Sequence, residues 1–416
     1  MSIVLSGCNG FRNRGVEALI APSVAELHKR FPGGGVAVLS GQPAFDETRD
    51  VDATFVLDPF IGKVRSLPVR RVGAGIAPRV FRTEAKAINA IRAADAVIAS
   101  GGDNFSSDYG DFRMHLEPLK IAQKTGKATF MLAQSVGPFK SDEHRDHFCS
   151  VAKNVSLITL RESRSYDYVI NELGLPADRV HLTADPAFLL NPVGEERVHR
   201  LLRRYGVDPA APYVTIAMSR GIARFPGLDT SGANAAQVHL AVLGELVTHA
   251  LDELNAQVLL VPHVQETLLK NNDLVLAEEI VDAMEDDRVR VAWGDHSAAD
   301  YKGLIASASL NIAERMHAAI AGVSTATPTM VVRYSVKADG IIGDLLGENA
   351  REDGAIIPFE EYLEDEGRVA VATLQQAWEN RDKIRATLSG KLPEVRRLSE
   401  SNYDLFQEVL SSRGRV

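Results

Sequence analysis

Arg315 and His317 stand two residues apart in the stretch LNIAERMHAAIAG, which spans 310–322. A fixed guanidinium beside a titratable imidazole suits a site that binds an anion and moves a proton. Leu310 to Ala313 is short and apolar, as an interior strand of a parallel sheet would be, and Met316 to Ala321 consists of good helix formers ending at Gly322. Arg315 and His317 therefore fall at the carboxyl edge of a sheet, where open α/β folds bind ligands and where a helix start attracts negative charge. Taken alone, the segment reads equally as a surface salt-bridge and capping arrangement, so the rest of the chain must decide.

Polar residues end other apparent strands in the same way. The first strand runs into GCNGFRNRGVEALI, whose glycines offer a tight turn and N–H groups to an anion, with Asn13, Gly15 and Glu17 near a helix start. Glu17 has two readings, an acid/base or sugar-hydroxyl ligand and a carboxylate that complements the helix dipole. In SGGDNFSSDYGDF, Gly101 and Gly102 precede Asp103 and Asn104, a carboxylate and an amide suited to sugar hydroxyls. Asp103 is a candidate base, and an Asx-type turn is the alternative. Gln134 and Ser135, Arg161, and Asp185 close three further strands of the first half. In the second half, Arg220 is placed to join Arg315 at a common anion, while His263 reads as a ligand or as a buried structural histidine.

A chain of 416 residues exceeds what one core usually serves, so two domains are expected. The net charge of −9 argues against nucleic-acid binding, which calls for a basic surface, whereas a local Arg cluster still permits a small anion. Cys8 and Cys149, the only cysteines, provide neither a disulfide framework nor a thiolate metal cage, and no metal site is expected. Cys8 reads as a loop-filling residue rather than a nucleophile. No secretory leader or membrane-length apolar run is present, so a cytoplasmic protein is expected. Residues 62–83 carry Lys63, Arg65, Arg70, Arg71, Arg79 and Arg82 with no acidic residue. That stretch reads either as a solvated loop or as a peripheral contact with anionic lipid at the inner face of the membrane.

Short apolar runs alternate with amphipathic segments, the pattern of parallel α/β folds. Strands are expected at Ile3–Leu5, Val36–Leu39, Thr54–Leu57, Ala96–Ala99, Ala128–Ala133, Leu157–Leu160 and Val180–Leu182. Helices are expected at Glu84–Arg92, Arg113–Lys124, Glu143–Lys153 and Ser165–Leu173, and Pro22 predicts a kinked or late-starting first helix. The pattern breaks between Leu190 and Pro212, the best domain boundary. A second series has strands at Tyr213–Ala217, Val258–Val261, Val289–Val291, Leu310–Ala313 and Thr329–Val332, and Ser297 with Asp300 reads as a capping box. The expected architecture is α/β, with two Rossmann-like doubly wound domains facing a cleft. Residues 1–192 form the first, residues 193–350 the second, and residues 351–416 a C-terminal helical segment bracing them.

Taken together, GCNGFRNRGVEA, ASGGDNFSSD, AQSVGPF, LRES with ELGL downstream, TADPAFLL and ERMHAAIAG resemble, in order and spacing from about Gly7 to Gly347, the polysaccharide pyruvyl transferase family. The resemblance implies a glycosyltransferase-B-like pair of Rossmann domains. It also implies transfer of a pyruvyl group from phosphoenolpyruvate to two hydroxyls of a sugar, forming a cyclic ketal and releasing phosphate in cell-surface or extracellular polysaccharide synthesis. Phosphoenolpyruvate is then a substrate, no cofactor is expected, and the acceptor is a glycan or lipid-linked oligosaccharide. Arg315 and His317 match the family's Arg-x-His motif, implicated in donor binding and catalysis, and Arg220 resembles a second donor-binding Arg. Residues 1–192 would serve the acceptor and residues 193–350 the donor. Val16 stands where many members have Asp, and Met316 replaces a common Leu. The same architecture admits a nucleotide-sugar glycosyltransferase, and a non-catalytic glycan-binding module is a third reading.

Overall fold

A computed structural model describes residues 1–61, 77–107, 111–222, 232–333 and 336–414. Eight parallel strands build the first sheet: β1 (Ser2–Cys8), β2 (Gly35–Ser40), β3 (Thr54–Leu57), β4 (Ala96–Ala99), β5 (Gly102–Phe105), β6 (Ala128–Val136), β7 (Leu157–Leu160) and β8 (Val180–Leu182). Their order is β3-β2-β1-β4-β6-β7-β8, with β5 beside β6. A second, six-stranded sheet contains β9 (Tyr213–Ala217), β10 (Gln257–Leu260), β11 (Val289–Val291), β12 (Leu310–Ala313), β13 (Thr329–Arg333) and β14 (Ile356–Pro358), all parallel, in the order β11-β10-β9-β12-β13-β14. Both orders run outward from the first strand and then reverse, as in Rossmann folds. The reversal falls between β1 and β4 in one sheet and between β9 and β12 in the other.

Strands buried on both faces read as continuous apolar runs, which is why they were visible in the sequence. In the second sheet, Val214, Ile216, Val258, Leu260, Leu310 and Ile312 pack into one core cluster, and Tyr213 and Leu259 face another beneath the opposite side. The first sheet divides likewise, with Val4, Val97, Met131 and Ile158 on one face and Ile3, Leu5, Ile98, Phe130 and Leu157 on the other.

The chain forms two units, one from Met1–Phe11, Val16–Leu190 and Val395–Val416, the other from Arg12–Gly15 and Asn191–Glu394. The C-terminal helices thus do not form a third block. The helix Arg368–Glu379 belongs to the second unit, and the 32-residue helix Arg381–Ser412 changes allegiance just after Pro393. Its last turns enter the first unit's core, where Phe406 packs edge-on against Phe130 at 4.6 Å. Asn402 Nδ2 donates to Ala184 O at 2.8 Å, and Oδ1 accepts from Thr183 and Thr159.

Three further details differ from the sequence reading. β5 and β14 were not expected, because GDNF and IIP are too short and too mixed to show a strand period. The first helix, Arg14–Arg30, does not start late, and Pro22 lies inside it, the other of the two expected outcomes being a kink. Gly322 lies within the helix Met316–Val323 rather than after it, because a Cβ there would run into Thr329 Oγ1 and come within 2.9 Å of Asn311 Nδ2. Among the described residues, no helix is long and apolar enough to cross a membrane. Lys63, Arg65, Arg70 and Arg71 lie outside the described residues, as do the side chains of Arg79 and Arg82.

Candidate active site

The second sheet reverses its order between β9 and β12, and the ends of these strands are held together by Glu314. This fully buried carboxylate accepts the Ser219 N–H at 2.5 Å and the Tyr362 hydroxyl at 2.7 Å, and lies 2.7 Å from His239 Nε2. Its own N–H donates to Ala217 O at 3.0 Å. Burial, reinforced by the Glu314 charge, raises the Tyr362 pKa well above the ordinary phenol range, so the hydroxyl stays a donor.

Arg315 follows in extended conformation as the cap residue of Met316–Val323, which places His317 in the first helical turn. The Arg315 guanidinium grips Asp273 with two bonds, Nε to Oδ2 at 3.1 Å and Nη2 to Oδ1 at 2.5 Å. Asp273 is wholly buried and also accepts the Arg220 N–H at 3.1 Å and the Val264 N–H at 3.0 Å. One carboxylate thereby ties together the loops that follow β9, β10 and β12. Burial pushes its pKa up, while Arg315 and the two N–H groups pull it down. Arg315 keeps 23% of its side-chain surface exposed. Arg220 reaches the same edge, but its guanidinium pairs with Glu279 at 2.9 Å, so its link to Arg315 runs through its backbone and Asp273.

His263 is buried, with Nδ1 3.2 Å from Val261 O and its ring 5.3 Å from that of Tyr301. Burial, helped by Arg315, His317 and Arg14, lowers its pKa to about 3, so it is a neutral structural imidazole. Its carbonyl accepts the Arg14 N–H at 2.9 Å, part of a short antiparallel contact between residues 12–15 and the loop after β10. Asn13 Oδ1 accepts the Gly15 N–H at 3.0 Å, and Arg14 Nη2 donates to Asp295 at 2.9 Å. Gly15 thereby lies flat against His317. A Cβ there would collide with the ring Nδ1 and stand 2.9 Å from Cγ.

The expected residues of the first unit divide into two groups. Gly7, with φ +91°, lies at the β1–β4 reversal, where its carbonyl accepts a 3.4 Å hydrogen bond from Asn104 Nδ2. A Cβ on Gly101 would stand 3.0 Å from Ala133 O, and Gly102 turns the chain at φ +119° into β5. Asp103 therefore sits on a short strand rather than in an Asx turn, and its charge is felt by Arg161 and His115. His115 went unnoticed in the sequence; burial lowers its pKa to about 4 despite Asp103, and its Nδ1 has no hydrogen-bond partner among the described residues. Glu17 is buried in the first turn of Arg14–Arg30.

The other group points inward. Gln134 Nε2 donates to Ser100 O at 2.5 Å and Ala99 O at 3.0 Å, and is fully buried. Arg161 Nε donates to Ser135 Oγ at 2.8 Å, and its Nη1 pairs at 2.5 Å with Asp185, which also caps the Ala187 N–H. Gln134, Ser135, Arg161 and Asp185, expected as substrate ligands, are thus occupied in joining the ends of β4, β6, β7 and β8. Cys8 is buried near Asp46, and burial together with that charge holds its thiol well above the ordinary range, as a packing residue requires. Among the described residues, no cluster of three or more His, Cys, Asp or Glu side chains is gathered as a metal site would be.

Two parallel sheets of this order define the class: the fold is that of two-Rossmann-domain, glycosyltransferase-B-like proteins. UDP-N-acetylglucosamine 2-epimerase from Neisseria meningitidis is similar at a TM-score of 0.61 and 11% identity, covering 99% of this chain and 100% of the other. HepE from Anabaena, solved with UDP and glucose, has a TM-score of 0.57 and 14% identity over 99% and 100% of the two chains. The family follows from the sequence itself: residues 13–336 match the model of polysaccharide pyruvyl transferases, and the chain belongs to that family. AmsJ, an amylovoran biosynthesis protein of Erwinia amylovora, is 26% identical over 295 residues, 68% of this chain and 69% of the relative.

Proposed function

We propose that the protein transfers the pyruvyl group of phosphoenolpyruvate to two hydroxyls of one sugar residue in a polysaccharide or its precursor, forming a cyclic ketal and releasing phosphate. The observation that carries this reading is the pair Arg315 and His317, at the order reversal of the second sheet in a member of the pyruvyl transferase family. Arg315, held by Asp273, is the cation for the donor's carboxylate or phosphate, since its planar fork serves either group. Arg220, at the neighbouring strand end, would join the same anion by exchanging its Glu279 partner for the donor.

In the reaction, the methylene carbon of the enol takes a proton and the adjacent carbon is attacked by the first sugar hydroxyl, whose proton is removed. The second hydroxyl then attacks that carbon, the bond to phosphate breaks, and the second proton leaves with phosphate. His317 carries the proton to the enol carbon, and Asp103 is the acid/base candidate for the acceptor hydroxyls. Incubation with phosphoenolpyruvate and a panel of galactose, glucose, mannose and glucuronate glycans should release phosphate only when both substrates are present. His317→Ala should lower turnover by ~100-fold or more and spare donor binding; near-normal turnover would remove His317 from the mechanism.

Structural neighbours solved with UDP and UDP-sugars favour one rival, a nucleotide-sugar glycosyltransferase. Thermal stabilisation by UDP-glucose and UDP-N-acetylglucosamine, with none by phosphoenolpyruvate, would select it.

A further inference from the structure

Four large apolar side chains are exposed among the described residues, and three of them, Leu268, Leu269 and Trp293, lie on the loops after the adjacent strands β10 and β11. These loops leave the same edge of the second sheet as Arg315 and His317. Trp293 keeps 55% of its surface open. Its backbone is nonetheless fixed: the carbonyl accepts the Tyr205 hydroxyl at 2.8 Å and lies 3.2 Å from His296 Nε2, and Gly294 turns the chain immediately afterwards at φ +111°. The Arg204 guanidinium lies 5.4 Å from the indole centre, and the Tyr205 ring meets the indole edge-on at 6.5 Å. An exposed indole oriented in this way has no role in the core, and apolar surface presented at a ligand-binding edge marks a contact site.

The loop also leads directly to the candidate active site. Two residues after Trp293, Asp295 accepts the Arg14 guanidinium at 2.9 Å, and the next residue, Gly15, packs on the His317 ring. Pyranose rings carry a face of weakly positive C–H groups, which the negative face of an indole attracts, and the leucines alone could not supply that interaction.

We propose that Trp293, although it lies in the half that the family resemblance gives to the donor, is a glycan-stacking subsite that holds a pyranose of the polysaccharide acceptor next to the Arg315–His317 edge. This inference rests on the pyruvyl transferase reading, but the first arm of its test, glycan binding read by emission, is independent of turnover. The chain has two tryptophans, so Trp378→Phe leaves Trp293 as the only indole emitter. Tetrasaccharides of galactose, glucose, mannose and glucuronate, added without phosphoenolpyruvate, should quench that emission saturably, at least one of them, and should bind more tightly than the matching monosaccharide. In the otherwise unaltered enzyme, Trp293→Ala should raise the acceptor KM about tenfold, the scale of one lost stacking contact, with kcat and the donor KM unchanged. Trp293→Tyr should restore most of the loss. Emission unmoved by every glycan, quenching by UDP alone, or an unchanged acceptor KM would overturn the subsite. Saturable quenching by a glycan in a protein that never releases phosphate would leave the subsite standing and overturn the reaction instead.

Discussion

Asp273→Asn tests whether one carboxylate organises the candidate site. In the native fold, Asp273 accepts four hydrogen bonds, two from Arg315 and one each from the backbones of Arg220 and Val264. The amide keeps the volume and one acceptor, but it loses the charge and turns a donor toward Arg315 and, depending on its orientation, toward the N–H of Arg220 or of Val264. Removing one partner of a buried ion pair costs ~3–5 kcal/mol. Arg315 is 23% exposed and regains part of its hydration, which reduces the figure to about 2–3 kcal/mol. For a unit of roughly 200 residues, that corresponds to a fall of about 5–10 °C in its transition. Both tryptophans belong to the second unit, so tryptophan emission against urea reads this unit. The exposed Arg220–Glu279 pair is the control, and Glu279→Gln should cost less than about 1 kcal/mol. A loss in Asp273→Asn no larger than in that control would refute the argument.

Further expectations concern other parts of the fold. Gly15→Ala should displace the His317 ring and reduce phosphate release at least tenfold on the acid/base scale, while urea unfolding stays nearly unchanged; full activity would mean the ring is not held by Gly15. Asp185→Asn leaves the Arg161 charge buried without its carboxylate and should destabilise the first unit by ~3 kcal/mol, read by far-UV circular dichroism, with turnover per folded molecule preserved; lost turnover at unchanged stability would return these residues to the ligand set. His263, whose pKa falls from 6.5 to about 3 on folding, becomes charged in the unfolded chain first. Its contribution is therefore intact above the unfolded pKa and is lost as pH falls toward the folded one, at up to about 1.4 kcal/mol per pH unit. His263→Gln should flatten that slope in tryptophan-monitored urea titrations, and an unaltered slope would reject the assignment.

The strands were legible because parallel strands buried on both faces leave uninterrupted apolar runs. Leu157–Leu160, Tyr213–Ala217 and Leu310–Ala313 have the expected bounds for that reason. The Ser297–Asp300 capping box was legible because it is local, and it forms with both of its hydrogen bonds. Side-chain direction was less accessible. Nothing in the sequence distinguishes Asp103, partly exposed on β5, from Asp185, sealed beneath Arg161, since both simply follow a strand. Asp273 carried only the signal of an Asn-Asp pair before an amphipathic helix, and Asn272 does cap that helix. That the next carboxylate turns inward to Arg315 depends on loops distant in sequence. Glu314 was hidden in the same way, because its partners His239 and Tyr362 come from separate helices.

The allocation of Arg12–Gly15 to the second unit and of Val395–Val416 to the first has a consequence for biosynthesis. During translation, residues 12–15 must wait for the loop after β10 and for Asp295 before they find their hydrogen-bond partners. The first sheet likewise emerges long before Asn402 and Phe406, which complete its polar and apolar contacts. N-terminal-first folding, the usual route for multidomain chains, cannot finish the first unit until the last helix has left the ribosome, after the second unit, which ends at Glu394, already has all its residues. A gene cut near the boundary at Leu190 would therefore yield two incomplete halves, one without residues 395–416 and the other without residues 12–15, and because residues 12–15 lie inside the first unit's stretch, no single cut separates the two units whole.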